Sequence, residues 1–326
     1  MLTRTALVLL ATAFGATSAA AQAVSEAPWP SKPIRLVVPF PAGSSTDVIA
    51  RLVTQMLGPK LGQQFVIDNR AGASGNIGAD LVARAAPDGY TFGIATTSTH
   101  TLAPNLTANL SYHPIKDFTP VVLIGSAPYV MVVSPTLEAK SVAEFIALAK
   151  AKPDTLNYGS AGPASLAHLA GVMFANAAKV QMTHVPYKSS VQSTTDLITG
   201  RLDMQFATIA PTLPFLKTGQ LRGLAVTGSK RTDAMRELPT IAESGIPGYE
   251  AVLWMGIVAP SATPQAIVDR LNRAVVEVLN GDEAKKTLLV QGLDVKAGTP
   301  DALRTLIERD LAKWQTVIKA AGIHIQ

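Results

Sequence analysis

Short apolar runs alternate with stretches whose apolar positions recur every three or four residues, and this alternation organises most of the chain. The β-branched run Ile34–Val38 stops at Pro39-Phe40-Pro41-Ala42-Gly43, after which Ser44-Ser45-Thr46-Asp47 supplies capping side chains. That order predicts a strand, a tight loop and a helix. In the helix Val48, Leu52, Val53, Met56 and Leu57 form one stripe with Arg51 and Gln55 off it, and Gly58-Pro59 is expected to end it. The unit repeats: a strand at 65–67, the loop Asn69-Arg70-Ala71-Gly72-Ala73-Ser74-Gly75-Asn76, a helix over 77–85 and a strand over 90–95. Strand and helix in strict alternation predict a parallel sheet covered by helices.

A second series begins in the middle of the chain. Strands are expected at 121–124 and 129–133, then a helix capped by Ser141, a strand at 156–160 and a helix after Pro163. Next come a strand at 181–185, a helix at 191–199, a strand at 203–208, an apolar turn at 213–216 and a strand at 221–227. Two C-terminal helices share one start signal, Thr263-Pro264 and Thr299-Pro300, with threonine as cap and proline at the first helical position.

The length, 326 residues with 48% hydrophobic and 16% charged, supports a core divided between two ordinary domains. The 28 basic and 23 acidic residues leave a net charge of +5, but no basic run is long enough to follow a phosphate backbone, which argues against a nucleic-acid partner. With no cysteine there can be no disulfide, thiolate metal site or cysteine nucleophile. The five histidines show no metal-ligand spacing. Arg4, the apolar segment from Ala6 through Phe14 and the small residues Ala19-Ala20-Ala21 form a secretory signal over 1–21, with cleavage before Gln22 or Val24. Its apolar part is shorter than the roughly 20 residues that span a bilayer. The expectation is a soluble exported protein, periplasmic in a Gram-negative source.

Three strand ends run into small or hydroxyl-rich loops, at 42–47, 71–76 and 159–165. In open α/β sheets ligands bind outside the carboxyl ends of strands, where helix N-termini present backbone N–H groups to anions. A carboxylate or similar anion is the expected ligand. Gly72-x-x-Gly75-x-x-Gly78 lacks the order of a dinucleotide fingerprint, so no cofactor is expected. Ser160 sits between strand and helix like a nucleophile elbow, but Tyr158 occupies the position where that motif needs glycine.

The segments 39–47, 69–79, Ala86-Pro87-Asp88-Gly89-Tyr90, Tyr158-Gly159-Ser160-Ala161-Gly162, His184-Val185-Pro186-Tyr187-Lys188 and Leu238-Pro239-Thr240-Ile241-Ala242-Glu243, followed by Trp254, together resemble the Bug-type substrate-binding proteins of tripartite tricarboxylate transporters. The resemblance spans the mature chain in order. It implies an α/β fold of the type II periplasmic-binding-protein (Venus flytrap) kind, with one domain from 28–125 and 250–326 and the other from 126–249. These would close on a small organic acid in the cleft between them. It further implies a monomer that binds without catalysis, needs no metal or cofactor and delivers its acid to membrane transporter subunits. Carried over by position, Phe40, Ala42, Gly43, Ser44, Ser45, Thr46 and Asp47 form the carboxylate loop, with Gly72, Thr96 and Thr97 nearby. Ser160, Ala161, Ser165, His168, Tyr187 and Asp203 would face them from the second domain. The chain departs from the family pattern at Ser44, Ala164 and Ser189, where glycine is common, and at Ala207, where an acid is frequent. If Ala207 lines the pocket, a partner for a ligand ammonium is missing. A secreted hydrolase acting through Ser160 and a ligand-sensing partner of a signalling system remain as alternatives.

Overall fold

A computed structural model of the chain describes residues 29–163, 165–320 and 322–323; the expected export signal, Ala164 and His324 lie outside them. The strands are β1 (Ile34–Val38), β2 (Phe65–Asn69), β3 (Thr91–Thr96), β4 (Phe118–Val133), β5 (Asn157–Ser160), β6 (Thr183–Pro186), β7 (Met204–Thr208), β8 (Arg222–Val226), β9 (Val252–Pro260) and β10 (Asp294–Val295). The helices are α1 (Ser45–Leu61), α2 (Asn76–Ala83), α3 (Ala103–Leu106), α4 (Val142–Ala151), α5 (Leu166–Ala178), α6 (Ser190–Ile198), α7 (Ile209–Lys217), α8 (Gln265–Asn280), α9 (Asp282–Val290) and α10 (Pro300–Ala320). Sheet order is β2-β1-β3-β9-β4-β7-β5-β6, with β10 and β8 also on β4.

β4 explains how one sheet serves two lobes. Its first part pairs antiparallel with β9, from Phe118 opposite Pro260 to Pro128 opposite Val252, and its last five residues, Tyr129 to Val133, pair with β7. Register shifts after Pro120 and after Leu123 let the strand bend. The two strands expected at 121–124 and 129–133 are therefore one, because the residues between them find ladder partners in β9. The boundary expected at 125/126 falls inside it.

The sheet is mixed rather than parallel throughout: β1–β2, β1–β3, β5–β6 and β5–β7 pair parallel, whereas β9 with β3 and β4 with β7, β8, β9 and β10 pair antiparallel, and both faces of each half are covered. In the first lobe Leu36 and Val38 pack with Ile49, Val53 and Leu57 of α1 and Val268, Leu271 and Val275 of α8. Val37, between them, points to the other face with Val82 of α2 and Leu303 and Ile307 of α10. In the second lobe Phe145, Phe174, Phe206 and Met131 fill one face, and Val130, Val132, Leu197 and Val226 the other. Each fully buried side chain of this size contributes about 1.5–3 kcal/mol. α10, expected wholly in the first domain, joins both bodies, since its Leu303 and Ile307 pack in the first lobe and its Trp314 and Ile318 belong to the second lobe's cluster.

Local signals mostly hold, with informative exceptions. Ser141 accepts the Glu144 amide at 3.1 Å and Thr299 accepts that of Ala302 at 3.2 Å, as caps should. Thr263 does not cap α8; its hydroxyl donates to the Pro260 carbonyl at 2.8 Å. α1 passes through Gly58-Pro59 and ends at Gly62, which takes the left-handed conformation and returns its amide to the Gly58 carbonyl. The apolar turn at 213–216 is part of helix α7, where Thr212 bonds back to the Thr208 carbonyl. The C-terminal region carries a third helix, the polar α9, anchored by Ala284 and Leu288.

Candidate functional site

In the first lobe the loops after β1, β2 and β3 converge. The chain leaves β1 through Pro39 and Phe40, and Gly43 takes φ +79°, in the left-handed region. Ser44 caps α1 by accepting the Asp47 amide at 3.2 Å. Asp47 does more than occupy the first turn, because its buried carboxylate accepts the Gly43 amide at 2.8 Å, Asn69 Nδ2 at 2.9 Å and Arg51 Nε at 3.0 Å. Burial opposes its ionisation, but the bonds from Arg51, Gly43 and Asn69 prevail and hold the carboxyl below its ordinary range. The carboxylate is thus saturated by the protein. Ser45 and Thr46, at the start of α1, have no acceptor within the helix for their amides. Gly72 is exposed in the neighbouring loop, and Gly78 lets α2 press against that wall: a Cβ there would stand 2.9 Å from the Pro39 Cα and the Arg70 carbonyl.

Thr96 and Thr97 are fully buried, with hydroxyls turned to structural work. Thr97 accepts the Trp254 amide at 3.0 Å and donates to the Val252 carbonyl at 3.2 Å, fastening β3 to β9. The hydroxyl of Thr96 meets that of Thr99 at 3.2 Å.

The second lobe builds its own cluster at the carboxyl end of β5. Ser160 Oγ lies 2.7 Å from His184 Nε2, donates to the Gly162 carbonyl at 2.9 Å and accepts the Gly162 amide at 3.2 Å. Ser165 caps α5 and donates to the same carbonyl at 2.7 Å, leaving Ala161 exposed at the bend. His168 and His184 stack with ring centroids 4.0 Å apart, and Tyr187 donates its hydroxyl to Asp196 at 2.8 Å.

Two expected contributors stand elsewhere. Asp203 precedes β7 at its amino end, accepting the Asn157 amide at 2.8 Å, while Ser160 and Thr208 mark the opposite ends of those parallel strands. It staples β5 to β7 rather than facing the loops. Ala207 is buried in the apolar cluster of Val130, Val226 and Ile209. Sequence reasoning missed three shaping residues, Arg51, Asn69 and His184. The four-residue spacing of Asp47 and Arg51 on one helix was the available signal for the first.

Chemically, the first lobe offers amides at a helix start and the second a neutral, hydrogen-bonded hydroxyl–imidazole cluster. Ser160 and His184 have the separation of a nucleophile and its base, but the hydroxyl has no exposed surface and is shared with both backbone groups of Gly162. A cavity of about 860 Å³ lies elsewhere, beside the crossing strands, lined by Ser126, Trp254, Lys296, Arg309 and Trp314 among others.

The histidines make stability depend on acid. Burial, with His168 beside it, brings His184 down to about 4; burial lowers His168 and takes His100 to about 3. The unfolded chain therefore binds protons from about pH 6.5 downward while the folded chain refuses them. The stability these groups contribute is present above that pH and is lost on acidification toward about pH 4 for His184 and about pH 3 for His100. Unfolding free energies from urea titrations at about pH 7 and about pH 5 should differ by about 2 kcal/mol, chiefly from the fully buried His100, with the half-exposed pair discounted for screening. His184→Gln should shrink the difference; equal free energies in the wild type would contradict the assignment.

A family model described as tripartite tricarboxylate transporter family receptor matches residues 49–323. Protein BugT of Bordetella pertussis is 33% identical over 314 residues, covering 96% of this chain and 96% of that protein. Among solved structures, Rpa4515 of R. palustris with adipate superposes with TM-score 0.85 at 40% identity, covering 91% of this chain and 99% of the other. MatC from Rhodopseudomonas palustris with bound malate gives 0.80 at 32% identity, with coverage of 89% and 100%. The periplasmic binding protein BugD gives 0.82 at 31% identity, with coverage of 91% and 100%.

Proposed function

The chain belongs to the tripartite tricarboxylate transporter receptor family, and from that premise we propose that it is a periplasmic receptor for a small organic diacid. It captures the acid between its lobes and passes it, chemically unchanged, to membrane subunits of a tripartite transporter. The observation that carries this reading is the loop Phe40–Thr46 at the carboxyl end of β1. It runs into the start of α1, where the Ser45 and Thr46 amides lack intrahelical acceptors and the helix dipole favours an anion. The adipate and malate in the two related structures belong to the same chemical class. Ligand contacts to both lobes would shift the population toward a closed form hinged on β4 and β9.

The site also bears on ligand choice. Asp47 is saturated, Asp203 is at the far end of its strand and position 207 is apolar, so these three positions offer no free carboxylate to a ligand ammonium. An unpaired buried cation is costly. Calorimetry with adipate, succinate, malate, glutamate and aspartate should therefore show the acids lacking an amino group binding at least about tenfold more tightly, about 1.4 kcal/mol. Preferential binding of an amino acid would overturn the assignment of these carboxylates. Turnover of an ester, abolished by Ser160→Ala, would favour the hydrolase reading instead.

A further inference from the structure

The loop proposed to hold the ligand carboxylate has little backbone bonding of its own: between Phe40 and Ser44 the main-chain bond is Ser44 N–H to the Pro41 carbonyl, at 3.2 Å. Side chains supply the rest. Asn69, the last residue of β2, donates through Nδ2 to the Phe40 carbonyl at 3.0 Å and to Asp47 Oδ1 at 2.9 Å. Its own Oδ1 accepts Arg51 Nη2 at 3.1 Å. Asp47 in turn takes the Gly43 amide. The loop is thus pinned near both ends, at the Phe40 carbonyl and the Gly43 amide, by two side chains that are themselves bonded to each other. The Asn69 carboxamide can do this because it offers donors and an acceptor together. An aspartate there would keep the Arg51 contact, lose both donors and set a second carboxylate against Asp47.

One consequence is that the Gly43 amide, though it lies in the loop, is already engaged and is not a ligand donor. Another is that the conformation presenting the Ser45 and Thr46 amides depends on a residue from the neighbouring strand. We propose that Asn69, acting with Asp47 and Arg51, is a positioning residue of the carboxylate loop, setting its bound shape before ligand arrives. This rests on the carboxylate-receptor reading above. It gives that reading a definite prediction, because pre-ordering a binding loop raises affinity by removing the entropy that would otherwise be lost on binding.

The test uses the purified chain as wild type, Asn69→Ala and Asn69→Asp, with two measurements. Amide exchange at Gly43 in the unliganded protein should accelerate by about tenfold or more in both variants, while the urea midpoint of global unfolding stays close to wild type. Adipate affinity, by calorimetry, should fall about tenfold in Asn69→Ala and further in Asn69→Asp. A merely structural role would move the urea midpoint and leave exchange at Gly43 following it. Unchanged exchange at Gly43, or adipate affinity within about twofold of wild type in Asn69→Ala, overturns the proposal. A wild-type chain that binds none of the acids in the panel overturns the receptor reading and with it a role in binding, while the exchange measurement still decides whether Asn69 orders the loop.

Discussion

Replacing Gly43 by valine is expected to reduce adipate affinity at least about 100-fold, about 2.7 kcal/mol, with little change in the unfolding midpoint. The reason is torsional rather than steric. A Cβ at Gly43 would meet nothing within 4 Å, so the protein has room for the side chain. The backbone there has φ +79°, which costs an L-residue roughly 1–2 kcal/mol and makes a β-branched residue a genuine outlier. An exposed loop relieves that strain by changing shape, not by unfolding the lobe. Such a change pulls the Gly43 amide away from the Asp47 carboxylate and tilts the Ser45 and Thr46 amides. Gly43→Ala should fall between the two, about tenfold weaker than wild type. Calorimetry on both variants checks the gradient, and undiminished affinity in the valine variant would remove the loop from the binding site.

The second large effect is expected at Gly125, in β4 where it passes β10. A Cβ on that residue would collide with the Asp294 carbonyl oxygen and stand 3.1 Å from Leu293 Cγ. The obstructing atom is backbone and cannot swing aside. It belongs to a two-residue strand paired with Ser126 and Gly125, and the adjacent Lys296 amide bonds to the Ile124 carbonyl at 3.0 Å. Gly125→Val must therefore detach β10 or bend β4 near its crossing between lobes. The expected cost is about 3 kcal/mol, the upper end for overpacked sites, read as a lowered urea midpoint. Gly58→Ala serves as the control, since that residue has ordinary helical backbone and a Cβ there would meet its nearest neighbour, the Gln63 carbonyl oxygen, at 3.7 Å. A valine variant as stable as wild type would show that β4 and β10 do not approach so closely.

How much of this was legible beforehand follows from the range over which each signal acts. The strand–loop–helix units around Val38, Asn69 and Ser160 could be read directly, because a cap reaches only three or four residues and an amphipathic stripe reports on its own helix. Ser44, Ser141 and Thr299 cap as their sequence context says. The family resemblance carried the two-lobed architecture. It also carried position-by-position assignments that local sequence cannot orient, and Asp203 and Ala207 are where those diverge from the structure.

By itself, then, the sequence determined where the loops at the carboxyl ends of the strands start and which residue types line them, since proline, glycine and hydroxyl side chains constrain the backbone at their own positions. Tertiary structure alone decided what those side chains are free to do. Asp47 is 22 residues from Asn69 in the chain, Ser160 is 24 from His184, and Thr97 is 157 from Trp254. Whether a hydroxyl, carboxylate or amide is offered to a ligand depends on such distant partners, because a polar group enclosed by the fold must be satisfied within it. The single strand β4 is decided in the same way, as the residues between its two apolar runs become strand only by pairing with β9, well over 100 residues later.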